Sequence, residues 1–205
     1  MKKLFTLALG LLMVVGLAAC GNTSSADNGT KENTQAATQQ VKKGGKTLVV
    51  YYSASGHTKD VAGYIAKATN GDVLELQPAQ PYTDADLNYR DDNSRVMKEH
   101  NNPSLQDQIA LVQDKVDNWA DYDTVFIGYP IWWGNAAWPV NQFIKHNDFS
   151  GKTVIPFATS VSSGLGDSGT NLQKMAGTGN WLEGKRFSSG ASESEVQSWV
   201  KSLGF

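Results

Sequence analysis

One cysteine, Cys20, serves all 205 residues. Beyond it the chain can form no internal disulfide, thiolate metal site, iron–sulfur cluster or cysteine nucleophile, so the fold must stand on its apolar core. Histidine is nearly as scarce. His57, His100 and His146 have no ligand spacing, and the last two are expected on the surface. Excess basic charge is also missing. The chain carries −2, and setting aside the six lysines and two acids of the first 46 residues leaves −6 for the rest. An acidic domain of this kind does not seek nucleic acid or anionic lipid. Nor is there a run long enough to span a bilayer: the apolar stretch Leu4 to Leu17 is well short of the roughly 20 residues required.

What the first 46 residues do contain is an export signal and a spacer. Lys2-Lys3 form a basic start, the apolar stretch follows, and Leu17-Ala18-Ala19-Cys20 closes it. That ending resembles a bacterial lipobox, which implies cleavage after residue 19, lipidation of the Cys20 thiol and an extracytoplasmic, membrane-anchored protein. Residues 20–46 are dominated by Asn, Thr, Ser, Gln, Ala, Gly and Lys and cannot bury enough surface to offset their ordering entropy. They read as a tether. Residues 47–205 are one domain's worth of chain.

Within that domain, Leu48-Val49-Val50-Tyr51-Tyr52 is an unbroken apolar run, the pattern of a strand buried on both faces. It breaks into Ser53-Ala54-Ser55-Gly56-His57-Thr58, and a helical stripe of Val61, Ala62, Ile65 and Ala66 follows. A polar hexapeptide at a strand-to-helix turn offers unpaired N–H groups, hydroxyl donors and a glycine where a ligand can approach. The same residues also suit a plain Ser/Thr-capped turn. A less buried strand is expected at Val73–Gln77, and no clear period appears from Ala79 to Pro103 apart from a possible short helix at Ser94–His100. Next come a helix beginning at Ser104 (stripe Leu105, Ile109, Val112, Val116, Trp119), a strand at Val125–Tyr129 and a helix from about Trp138. Thr153–Thr159 reads as a strand in which Pro156 counts against a central position without a bulge. A short helix around Leu172–Ala176, a weak strand near Trp181–Phe187 and a helix capped at Ser192 complete the chain. The alternation predicts an α/β doubly wound parallel sheet of five strands with helices on both faces, its ligand at the carboxyl ends of the strands.

Ser53, Ser55, Gly56 and Thr58 match, position by position, the Ser/Thr-x-Ser/Thr-Gly-x-Thr phosphate loop of the flavodoxins. The turn Gly128-Tyr129-Pro130-Ile131-Trp132-Trp133-Gly134 is similar to the second flavin loop of that family, and Phe157-Ala158-Thr159-Ser160 to the third. The resemblance covers about residues 47–203 and implies a short-chain flavodoxin-like FMN protein. It assigns the phosphate to Ser53, Ala54, Ser55, Gly56, His57 and Thr58. The isoalloxazine ring falls to Pro130, Ile131, Trp132, Trp133, Gly134 and Asn135 together with Thr159, Ser160, Val161, Ser162 and Gly164. At least one of the tandem tryptophans is expected to stack on the ring, the other belonging to the core. The long segment after the second strand departs from the smallest flavodoxins.

Two short motifs lack the context they need. Gly164-x-Gly166-x-x-Gly169 spells a dinucleotide fingerprint but does not follow directly on a strand end, and Gly166-Asp167-Ser168-Gly169 echoes a serine-protease segment without a double-barrel pattern around it. No catalytic acid, base or nucleophile is evident. The resemblance implies a tethered electron carrier whose partner is a redox protein or a quinone-like acceptor. A flavin-dependent reductase of quinones and a binding module that has lost its flavin are the alternatives.

Overall fold

The computed structural model describes residues 44–205, so Cys20 and nearly all of the tether lie outside the described residues. Strand β1 (Lys46–Tyr51) is buried from its second residue onward. It pairs in parallel with β2 (Asp72–Glu75) on one side and β3 (Tyr122–Trp132) on the other. β3 pairs in turn with β5 (Thr153–Ser160), and β5 with two short pieces, β6 (Asn180–Trp181) and β7 (Lys185–Ser188). A two-residue antiparallel strand, β4 (Asn135–Ala136), folds back on the end of β3. The order β2-β1-β3-β5-β6/β7 is the five-stranded doubly wound sheet expected from the alternation.

Strand alternation sends successive side chains to opposite faces. Val49, Tyr51, Phe126, Ile155 and Phe157 meet Val61 and Ile65 of α1 (His57–Thr69) and Val196 and Val200 of α6 (Glu193–Ser202). Val50, Tyr52, Ile127, Tyr129 and Ala158 meet Phe143 and Ile144 of α4 (Asn141–His146) and Leu172 of α5 (Ser168–Ala176). The Ser192 hydroxyl accepts from the Glu195 N–H and caps α6 as the sequence suggests.

Pro156 sits inside the sheet after all. The carbonyls of Lys152 and Val154 accept from Asn180 and Leu182, so even-numbered residues of β5 present their backbone to the β6/β7 side. Pro156 falls where that neighbour is interrupted, between Trp181 and Lys185, and its missing N–H needs no partner. The irregularity lies in the adjacent strand rather than in β5.

The helix expected from Ser104 to Trp119 does not form. α2 (Arg95–Asn101) does, with Ser94 as its cap, and α3 (Pro103–Gln106) is a single turn capped by Asn102. The chain then runs extended beside the end of β2: Ala79 donates to Ala110 and Val112 to Gln77, each at 2.8 Å. Side chains at the end of α4 and just beyond it hold it there, Lys145 on the Asp107 carboxylate and Asn147 on the Asp114 carbonyl. The apparent stripe is served without coiling. Ile109 packs against Val96 and Trp138, and Trp119 edge-on against Phe143 and Phe149, while Val112 is left 71% exposed. Long-range backbone pairing and these ties outweigh a weak local preference.

Candidate flavin site

Three loops converge at the carboxyl ends of β1, β3 and β5. The first turns at Gly56, whose φ of 92° suits glycine, and leads straight into α1. The Ser53 hydroxyl accepts from the N–H groups of Gly56 (3.1 Å) and Lys59 (3.3 Å), which pins the turn and leaves its own hydrogen to donate. Among the described residues nothing accepts from the N–H groups of Ala54, Ser55, His57 or Thr58. Ser55 and His57 are exposed, Ala54 and Gly56 half-buried. Four free amides, two hydroxyls and a helix start form a donor set that suits a phosphate. The nearest cation on this loop, Lys59, is paired with Glu75.

Thr58 itself is buried and joins the first loop to the third: its hydroxyl lies 2.8 Å from that of Thr159. Beyond Thr159 the chain comes to the surface at Ser160, Val161, Ser162 and Gly164. Arg186 on β7 donates to the Ser160 hydroxyl and to the carbonyls of Ser160 and Val161, so the root of this loop is clamped. Sequence reading did not single out Arg186.

The second loop is shorter than expected, because β3 runs on through Pro130, Ile131 and Trp132. Only Trp133 and Gly134 form the turn, both with positive φ (46° and 78°), the geometry of a tight hairpin. The tandem tryptophans part company there. Trp132 is half-buried and edge-on to Tyr52, Tyr82 and Trp138, whereas Trp133 is 42% exposed and stacks on His100 at 4.2 Å. His100 is thus not the isolated surface residue anticipated. Asn135 accepts from the Asn171 amide at 2.9 Å, tying the hairpin to α5.

The segment 79–103, which has no sequence period, folds over this hairpin. Tyr82, Arg95 and Glu99 come from it, and Glu99 is only 5% exposed. Burial and the Glu99 carboxylate hold the Tyr82 phenol well above its ordinary range, and burial does the same for Tyr52. Under the sheet end Tyr129 bonds Ser168 and is pushed up to about 12 by burial, the Ser168 bond opposing. Ser168 is fully buried and also donates to the Leu165 carbonyl, so the protease-like tetrapeptide holds no free nucleophile.

Comparison with known proteins places the chain. The flavodoxin family model matches residues 46–203. Among solved structures, a protein from Bacteroides uniformis described as a candidate flavoprotein is 44% identical over 78% of this chain and 99% of its own, with a TM-score of 0.71. One of the same description from Bacteroides eggerthii is 40% identical over 79% and 99%, also at 0.71. A flavoprotein from Lactobacillus acidophilus, solved in complex with FMN, is 26% identical over 76% and 99%, with a TM-score of 0.58. No curated protein matches. This chain belongs to the flavodoxin family.

Proposed function

We propose that this protein binds FMN and carries electrons at the extracytoplasmic face of a membrane, held there by lipid on Cys20. The observation that carries the reading is the first loop: four N–H groups without acceptors and two hydroxyls capable of donating, at a helix start. Family membership and the FMN complex of the Lactobacillus relative support FMN as the cofactor. Bound FMN supplies one- and two-electron chemistry. The chain's own residues hold and limit it. Ser53, Ser55 and the loop amides would hold the phosphate through hydrogen bonds rather than an ion pair, with Thr58 beneath them tying the first loop to the third. Trp132 and Trp133 on the hairpin and Ser160, Val161 and Ser162 where the third loop leaves the sheet would supply the walls for the ring.

The net charge of −6 on residues 47–205 opposes further negative charge on the flavin, so full reduction is expected at low potential. The partner is a redox protein or a quinone-like acceptor reached from the tether. Titrating residues 21–205 with FMN, with riboflavin as the phosphate-free control, tests the cofactor. Tight FMN binding with much weaker riboflavin binding is expected, and binding of neither overturns the proposal. Replacing Cys20 by Ala in the full chain should move the protein from the membrane fraction to the soluble one. Retention would refute the anchor.

A further inference from the structure

Glu99 joins three separate segments through one carboxylate. Its Oε2 accepts from the Tyr82 hydroxyl at 2.5 Å and from Trp138 Nε1 at 2.7 Å, and its Oε1 from Arg95 Nε at 2.7 Å. Arg95 also donates to the Gln80 carbonyl, and its guanidinium lies 4.0 Å from the centre of the Tyr82 ring. The Gln106 amide takes the Glu99 backbone carbonyl, so both ends of the 79–106 segment are tied to this residue.

The two rings bonded to Oε2 are two of the three that box Trp132. Tyr82 meets it edge-on at 5.6 Å and Trp138 at 4.7 Å; the third ring, Tyr52 at 5.7 Å, directly precedes the phosphate loop. A buried ion pair is a poor source of net stability, since an apolar replacement of the same shape is often no less stable. What several charge-assisted bonds in fixed directions do provide is orientation. The Trp132 backbone is held in the β3–β4 ladder, but its indole N–H has no partner among the described residues, so the setting of the ring depends on its neighbours' hydroxyl and indole.

We propose that Glu99 is the positioning residue of the ring-binding hairpin: through Tyr82 and Trp138 it fixes Trp132, and with it the flavin-facing side of Pro130–Asn135. The proposal rests on the flavin reading of that hairpin. It differs from that reading in its lever, a carboxylate on α2, in the long segment after β2, rather than a residue of the hairpin itself.

The test uses the protein with Glu99→Gln and, as the gentler change, Tyr82→Phe, which removes one bond and keeps the ring. In Glu99→Gln the affinities for FMN and riboflavin should both fall about tenfold, the size expected for one lost charge-assisted contact, with their ratio unchanged. The visible flavin band should shift in the same variant. Tyr82→Phe should show the same pattern with a smaller loss. Loss of FMN affinity alone would move the effect to the phosphate loop and overturn the proposal, as would wild-type affinities and band in both variants. The near-ultraviolet circular dichroism of the flavin-free protein keeps the two readings apart. If the unmodified protein binds no flavin, the flavin reading fails. An altered tryptophan signal in Tyr82→Phe then still supports Glu99 as the residue that sets Trp132, and an unaltered one overturns that too.

Discussion

Raising the pH past the ordinary phenol range should unfold this domain over a narrow interval. Tyr51, Tyr52, Tyr82 and Tyr129 are all held above the usual phenol value, burial being the first cause in each, and three of them are no more than 4% exposed. Below about pH 10 both folded and unfolded chains keep these protons and nothing is lost. Above it the unfolded chain ionises all four while the folded one does not, so stability falls as pH rises until the folded values are reached. Each phenol contributes about 1.4 kcal/mol per pH unit, or about 5.5 kcal/mol for the four together. Lys152 opposes this only up to about pH 10.5: burial lowers its pKa, so stability rises with pH until the unfolded lysine itself loses its proton, and beyond that it has no effect. A domain stability of about 5–15 kcal/mol would then be exhausted within about one to three units above pH 10. The assay follows far-ultraviolet circular dichroism and the phenolate absorbance band in parallel. The two should change together in one steep step. A gradual titration of all seven tyrosines centred near the ordinary phenol value, with secondary structure intact, would refute the reasoning.

Three further substitutions probe the site. Gly56→Ala places a side chain at a φ of 92°, which should cost about 1–2 kcal/mol and weaken FMN more than riboflavin; equal losses for the two would separate this turn from the phosphate. Thr58→Val strands the buried Thr159 hydroxyl and should destabilise by about 1–3 kcal/mol, with much of that recovered when Thr159 is also Val. Thermal melts that match the wild type would mean the two loops are not joined. Trp133→Gly relieves a non-glycine residue of positive φ but also removes the ring that stacks on His100, so flavin-free stability should change by less than about 1 kcal/mol while FMN and riboflavin affinity fall alike. Unchanged riboflavin affinity would remove Trp133 from the ring site.

Local pattern carried the strands and the site loops. Leu48–Tyr52 announces a doubly buried strand because no polar residue interrupts it, and the α1 stripe follows from side chains that meet one sheet face. The turn at Ser53–Thr58 and its free donors were legible because they are contiguous in the chain. Glu99 was not, because Tyr82 and Trp138 lie 17 and 39 positions away, and Arg95 four residues before it reads as an ordinary surface pair. The segment 104–119 misled for a related reason. Its apolar spacing fits a helix, yet its backbone bonds go to residues 77 and 79, a pairing local periodicity cannot encode. Trp132 and Trp133 read as a pair, and a two-residue turn turned them into a core ring and a surface ring.

The interruption opposite Pro156 bears on solubility. A sheet whose outermost strand runs its full length offers a row of unpaired amides to any passing chain. Here one border is a four-residue strand, and the other is split into pieces of two and four residues, with Lys185 and Arg186 on the longer one. Neither border gives an incoming strand a long, uncharged template. A protein concentrated on a membrane surface, as proposed, would be protected by the same break from edge-to-edge association with its neighbours.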